Sequence, residues 1–110
     1  MMNDYSEEVK RLIKEFKEKG FEYGKPKDYL EFRNGCSIED LEKELLEQKD
    51  LKFTERQIRE GEKRYKLYYV YNKRKGRVYV ITFRSKIRII TIYTLGPGTL
   101  NKYNKTRFKN

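Results

Sequence analysis

The side chains that could do chemistry are concentrated after Glu62, where cationic and aromatic residues are interleaved and carboxylates are absent. Residues 63–110 contain fourteen Lys and Arg and no Asp or Glu, whereas the first 62 residues contain all seventeen acids and thirteen bases. Lys and Arg neutralise phosphates, and a Tyr ring stacks on an unpaired base. This uneven distribution, in a chain of net charge +10, indicates a polyanionic partner, most often nucleic acid.

The residue types present restrict the reactions that the chain could catalyse. It has no His and one cysteine, Cys36, which removes the usual zinc, haem and Cys–His nucleophile sites. We therefore expect no metal and no cofactor. Any proton transfer would have to use Lys, Tyr, Ser, Thr or a carboxylate. We expect Cys36 to be a small buried residue rather than a reactive thiol.

Basic turns and a basic tail are the candidate contacts to nucleic acid. Residues 73–77 form a basic turn, which could rest on a phosphate backbone or could be cationic only for solubility. Residues 99–110 could fray in solvent or fold back on the sheet as a helical turn. The expected nucleic-acid-binding residues are Lys73, Arg74, Lys75, Arg77, Lys86, Lys102, Lys105 and Arg107.

Amphipathic helices are expected before the basic segment. Apolar residues from Asp4 to Lys19 recur at helical spacing, and Asp4 with Glu7 is typical of a capping box. A short helix is predicted over residues 28–33. Ser37 is expected to cap a further helix from Ile38 to Gln48.

The basic segment itself has the composition of a sheet. Residues 65–72, 77–84 and 87–95 are rich in Tyr, Val, Ile, Thr and Phe, and the short turns between them predict an antiparallel meander. Residues 51–60 are ambiguous, because they could form an edge strand or a short helix capped by Thr54. The more aliphatic side chains of Val78, Val80, Ile90 and Ile92 are expected beneath the helices, although the register of the turn at Ser85 could place the opposite face there.

These elements predict one α+β domain over residues 1–110, with N-terminal helices packed on a three- to four-stranded antiparallel sheet. The helical layer is expected over residues 4–50, the sheet over 51–95 and a basic tail over 96–110. No stretch resembles a signal peptide or a membrane span, so we expect a cytoplasmic protein without a membrane partner. The composition, without Ala, His or Trp, is typical of a hyperthermophilic, archaeal source.

The order of the elements and three segments resemble the RelE and BrnT superfamily of small toxin-like domains, over about residues 25–103. The segments are the step from Phe32 to Leu41 into a helix, the Tyr-rich strand from Arg64 to Val70, and the last strand from Arg88 to Tyr93. The resemblance implies helices packed on a small twisted antiparallel sheet. It also implies mRNA cleavage without a metal, and an antitoxin that covers the basic surface.

In such a reaction a 2′-hydroxyl attacks the neighbouring phosphate, Lys or Tyr moves the proton, and Arg neutralises the charge that develops. Position in the family pattern implies catalytic roles for Arg84 and Arg88, together with Tyr93 or Tyr103. Two features depart from the pattern. The short helix lacks the His that BrnT-like members usually have, and a helix occupies the position at which RelE-type proteins begin with a strand.

Two other interpretations remain open. A winged-helix DNA-binding protein would use Thr54–Glu60 as its recognition helix and residues 73–77 as the tip of the wing. A non-enzymatic interaction protein, encoded by a plasmid or virus, would bind an acidic protein. RNA or DNA is the expected partner of a toxin-like or a winged-helix protein. A homodimer could form through an exposed strand edge, at Leu51–Thr54 or Ile87–Leu95.

Overall fold

A computed structural model of the chain describes residues 3–100. Three helices precede a meander of four strands, and one short strand lies among the helices. The elements are α1 (Ser6–Phe16), a 3-10 turn (Lys17–Lys19), β1 (Phe21–Tyr23), α2 (Lys27–Asn34), α3 (Ile38–Glu47), β2 (Leu51–Arg59), β3 (Glu62–Val70), β4 (Gly76–Phe83) and β5 (Ile87–Leu95). The predicted α+β class is confirmed. No helix among the described residues is long and apolar enough to cross a membrane.

The sheet differs from the predicted one in its size and in one strand direction. It has five strands in the order β1-β5-β4-β3-β2, and β2 to β5 form the antiparallel meander. Strand β1 pairs parallel to β5, with Phe21 opposite Ile87, so the sheet is mixed. The three residues of β1 are too few to show an alternating pattern, and their partner lies far along the chain.

The ambiguous segment after α3 is strand β2. Glu60 and Gly61 follow it with φ angles of 52° and 79°, which are the positive values that a tight two-residue hairpin requires. The chain therefore turns directly from β2 into β3. The recognition helix that a winged-helix protein would need at Thr54–Glu60 is absent, because these residues lie in the strand and its turn.

The helix ends show one confirmed cap and one corrected cap. The Ser37 hydroxyl accepts a hydrogen bond from the Asp40 amide at 3.1 Å, as predicted for α3. Asp4 does not form a capping box with Glu7, since α1 begins at Ser6. Instead, Asp4 Oδ1 accepts hydrogen bonds from the amides of Ser6 and Thr54, which ties the start of α1 to β2.

The helices cover the face of the sheet opposite to the one predicted for β4. Val78 and Val80 face away from the helices, and the Tyr79 and Ile81 side chains face the core. A bulge between β4 and β5 makes Ile90 the extra residue, so Ile92 faces the helices as predicted and Ile90 does not pair. The principal core consists of Val9, Ile13, Leu30, Ile38, Leu41, Leu45, Tyr65, Leu67, Tyr69, Tyr79, Ile81, Ile87, Ile89 and Ile92.

The other face of the sheet is partly covered by the chain after β5. Residues 97–100 form a helical turn, in which the Leu100 amide donates to the Gly96 carbonyl at 3.0 Å. Leu100 is fully buried in a second apolar cluster with Val78 and Leu95. The prediction that part of the tail folds back on the sheet is confirmed for this turn, and residues 101–110 lie outside the described part of the chain.

Candidate nucleic-acid interface

The β3–β4 loop presents three cations on a closed turn. Asn72 Oδ1 accepts hydrogen bonds from the amides of Arg74 at 2.8 Å and Lys75 at 3.0 Å, and the Tyr71 amide donates to the Lys75 carbonyl. An Asn side chain that bonds to the backbone in this way fixes the shape of a turn. The side chains of Lys73, Arg74 and Lys75 are exposed, and none has a carboxylate partner within residues 3–100.

Shallow grooves border this turn on two sides. One, of ≈ 400 Å³, lies between Arg74 and Lys75 of the turn, the end of β5 at Thr94, and the end of α2 at Asn34. The other, of ≈ 570 Å³, lies between residues 72–75 and Pro97. The three cations therefore lie at the edges of two grooves rather than on an isolated projection.

Exposed aromatic rings lie on α2, the helix whose last residue, Asn34, lines the first groove. The Phe32 side chain is 89% exposed and that of Tyr29 is 44% exposed. The guanidinium of Arg33 lies 5.9 Å from the Tyr29 ring centre and 5.7 Å from that of Tyr93 on β5. Burial raises the pKa of Tyr93, so its hydroxyl stays protonated at neutral pH. Arg33 thus joins the rings of the helix to one on the sheet.

The first groove brings the turn cations Arg74 and Lys75 close to Asn34, the last residue of α2. We call the turn cations, the exposed residues of α2 that precede Asn34 and the Tyr93 ring together the α2–tip surface. Its members are Tyr29, Phe32, Arg33, Lys73, Arg74, Lys75 and Tyr93. Sequence reasoning found the loop and Tyr93 but missed the three α2 residues. A signal was available, because Leu30 and Asn34 mark the buried side of α2, and Tyr29, which precedes Leu30, and Phe32 and Arg33, which lie between the two, fall outside it.

Arg77, another predicted contact, lies inside the protein instead. Its Nη1 bonds to Glu44 Oε1 at 2.8 Å, its Nε bonds to Asn34 Oδ1 at 3.3 Å, and the side chain is 16% exposed. Burial is the largest influence on Arg77 and opposes its charge, but the hydrogen bond to Glu44 together with the electrostatic attraction of Tyr71 and Glu44 raises the pKa of the guanidinium overall. The Asn34 side-chain amide also donates to the Ile92 carbonyl of β5, beyond the three residues of that strand that pair with β1. Arg77 therefore connects β4 to α2 and α3 and does not itself belong to the α2–tip surface.

The arginines at the opposite end of the sheet are paired with carboxylates. Arg84 Nη2 lies 2.7 Å from Glu62 Oε2, and Arg64 Nε lies 3.0 Å from Glu62 Oε1. Arg84 and Arg64 hold the pKa of Glu62 below its usual value. Arg88 Nη1 lies 3.6 Å from Glu22 Oε2. The acids are not confined to the helical layer, because β1 and β3 carry two of them onto the sheet.

The residues that the toxin-like resemblance implied as catalytic do not converge within the described chain. Arg84 and Arg88 flank the β4–β5 turn, where Lys86 is also exposed. Tyr93 lies five residues beyond Arg88 along β5, which is about 16 Å at the usual rise per residue. A proton-transfer group and a charge-stabilising group must both reach one phosphate. Tyr103, Lys102, Lys105 and Arg107 lie outside the described residues.

A cleft of ≈ 620 Å³ lies between α1 and the β2–β3 hairpin, and its two carboxylates, Glu8 and Glu62, are both paired with arginines. Glu8 at its wall accepts a hydrogen bond from the Tyr65 hydroxyl and pairs with Arg56 at 3.1 Å. The Tyr65 hydrogen bond is the main cause that lowers the pKa of Glu8.

Cys36 is half-buried, and burial raises the pKa of its thiol. Among residues 3–100, no three Cys, Asp or Glu side chains are grouped to hold a metal ion.

Comparison of the chain with models of known protein families, with curated proteins and with solved structures finds no match. The relationship to RelE and BrnT toxins therefore stays a prediction.

Proposed function

We propose that the protein binds single-stranded nucleic acid through the α2–tip surface. The observation that carries the proposal is the combination, at one end of the sheet, of three exposed cations without carboxylate partners and the exposed Phe32 ring. Single strands are bound by cations that follow the backbone and by rings on which bases stack. The fixed turn at Asn72 supports this role, because it holds the cations in place before a ligand arrives.

Stacking is the reason to favour a single strand over a duplex. The rings of Phe32 and Tyr29 project from α2 and leave an aromatic face accessible. A paired base offers no free face to such a ring, whereas an unpaired base in RNA or single-stranded DNA does. The guanidinium of Arg33, which already lies over two tyrosines, provides a further planar cation at the same place.

RNA cleavage by a toxin-like protein, neutralised by an antitoxin, is a narrower hypothesis with weaker support. The arginines that it requires pair with Glu62 and Glu22, and Tyr93 lies at the other end of the strand. Glu62 carries a low pKa, so it accepts a proton weakly. Binding is the function that the described groups support better.

The test is fluorescence anisotropy with labelled oligo(U), oligo(dT) and duplex DNA over a range of salt concentrations. We expect both single strands to bind more tightly than the duplex. Replacement of Lys73, Arg74 and Lys75 together by Gln should reduce the slope of log K against log salt by about 2, since each phosphate contact of a single strand contributes about 0.7.

The matched control replaces Lys14, Lys17 and Lys19 by Gln, which removes the same charge from exposed positions on α1 and its 3-10 turn. This variant should keep the slope of the wild type to within about one contact. An equal loss in both triple variants would indicate attraction by net charge alone. No binding of any oligonucleotide at low salt would refute the proposal.

A further inference from the structure

Strand β2 is an edge of the sheet, and its outward backbone groups are covered at Thr54. At Thr54 the carbonyl accepts from the Tyr5 amide at 3.0 Å, and the amide donates to Asp4 Oδ1 at 3.1 Å. Backbone groups alternate between the two sides of a strand, so Arg56 and Ile58 also direct their amides and carbonyls outward. Within residues 3–100 no group pairs with them. The predicted edge at Leu51–Thr54 is thus closed at Thr54, and the open edge lies beyond it.

The side chains along this open edge are complementary to themselves in the antiparallel direction. The sequence is Glu55-Arg56-Gln57-Ile58-Arg59, with Gln57 at its centre. If a second copy pairs about a two-fold axis at Gln57, Glu55 lies opposite Arg59 of the second copy, and the reverse pair forms as well. Opposite charges in directly opposed positions stabilise a strand pair.

The register centred on Gln57 also gives hydrogen-bond partners to the outward backbone groups and covers the exposed side chain of Ile58. Arg56 opposes Ile58 of the second copy, and both direct their polar backbone groups outward, so two such pairs supply four hydrogen bonds. Ile58 is 64% exposed, and the aliphatic stem of Arg56 would cover it. Charged residues usually protect an edge strand from pairing. In β2 the opposite charges of Glu55 and Arg59 favour the antiparallel pairing centred on Gln57.

Neighbouring registers are less favourable. A two-fold axis at Arg56 would oppose that arginine to its own copy. An axis at Ile58 would bring Glu60 and Gly61 into the pairing, and these residues form the hairpin turn and lie outside β2. An axis at Gln57 keeps residues 55–59 of each copy within the strand and beyond Thr54, whose outward backbone groups are already bonded to Asp4 and Tyr5.

We infer that the protein forms a symmetric homodimer in which residues 55–59 of β2 pair with residues 55–59 of a second copy, centred on Gln57. This inference does not rest on the proposed binding of nucleic acid. It joins the two sheets into one of ten strands, in which the contact is isologous.

Charge reversal tests the pairing by sedimentation velocity over a concentration series. The wild type should dimerise, whereas Glu55→Arg alone and Arg59→Glu alone should stay monomeric, because each opposes like charges. An equimolar mixture of the two variants should dimerise again, since one chain then carries two Arg where the other carries two Glu. A monomeric wild type at every concentration, or a mixture that stays monomeric while both variants melt cooperatively, would overturn the inference.

Disulfide formation tests the register. In a Cys36→Ser background, Gln57→Cys should form an intermolecular disulfide readily, because non-hydrogen-bonded partners have Cα atoms about 4.5 Å apart. Arg56→Cys and Ile58→Cys are the controls, and each should cross-link more slowly than Gln57→Cys. Faster cross-linking at either control position would refute the centre at Gln57.

Discussion

Glu44 on α3 and Arg77 on β4 form an ion pair in which 2.8 Å separates Oε1 from Nη1, and the Tyr79 hydroxyl donates to the same oxygen at 2.7 Å. The Tyr71 hydroxyl donates to the other oxygen of Glu44. The side chains of the ion pair are 16% and 19% exposed, so water competes little for these bonds. One carboxylate therefore fastens the helical layer to the sheet directly below the β3–β4 turn.

Loss of the Arg77 guanidinium should destabilise the protein strongly. Arg77→Met leaves Glu44 charged, mostly buried and without its cation, and such a change lowers the free energy of unfolding by about 3 kcal/mol. Urea unfolding followed by circular dichroism measures the change. Lys75→Met is the control, because that side chain is exposed and should change stability by less than about 0.5 kcal/mol. Equal stability of the two variants would contradict the structural role of Arg77.

Removal of the Phe32 ring should weaken binding of single strands without affecting the fold. Phe32→Ala removes a stacking platform that contributes about 1–3 kcal/mol per base, while its 89% exposed side chain contributes little to the core. Anisotropy with oligo(U) gives the affinity, and thermal melting gives the stability. Leu46→Ala, a partly exposed site on α3, should leave the affinity unchanged. Unaltered binding by Phe32→Ala would remove the ring from the interface.

Gly76, the first residue of β4, should not tolerate a side chain. A Cβ atom there would lie 2.7 Å from the Tyr69 carbonyl oxygen and 3.2 Å from Leu95 Cδ1, so the strand pair or the Leu100 turn must shift. We expect Gly76→Ala to lower the free energy of unfolding by about 1–3 kcal/mol. Gly96→Ala has no atom within 4 Å and should be nearly neutral, and chemical denaturation of both compares them directly.

The acid limb of the stability curve should depend on Glu8. Its folded pKa lies below the usual 4.5, so its contribution is present above that value and is lost as the pH falls through the folded pKa. Glu8→Gln should therefore melt below the wild type at pH 7, and the difference should narrow as the pH falls below the usual 4.5 and through the lower folded pKa. Glu7→Gln, at an exposed neighbouring position, should melt like the wild type throughout. A difference that stays constant with pH would exclude Glu8 as the cause.

The elements with strong local signals were predictable from the sequence. Ser37 marks the start of α3, and the turn at residues 73–76 joins two strands of strong β composition. Strand β1 was not predictable, because Phe21–Tyr23 becomes a strand only through β5. The helix-covered face was also predicted wrongly for β4. Tyr79 is buried there because its hydroxyl lies within hydrogen-bond distance of both the Leu41 carbonyl and Glu44, partners that no alternation pattern reveals.

The candidate interface was predictable in its charge but not in its boundaries. Lys73, Arg74 and Lys75 are exposed, as expected for a basic turn. Arg77, two positions further on, is mostly buried because it forms an ion pair with Glu44 of α3. Arg84 and Arg88 differ from the turn cations because Glu62 and Glu22 come to lie beside them. Sequence gives the number of charges in a segment. Which of them stay unpaired depends on tertiary contacts.

The parallel pairing of β1 with β5 also sets an order for folding during synthesis. Residues 21–23 leave the ribosome early, yet their partners at residues 87–89 are among the last described residues to be made. Helices and hairpins of neighbouring residues form first, because closing a long loop costs more entropy than a local contact. Phe21 and Tyr23 therefore lack their partner strand, β5, and stay partly exposed until the meander is complete. A nascent chain stalled before Ile87 would display these two rings to chaperones.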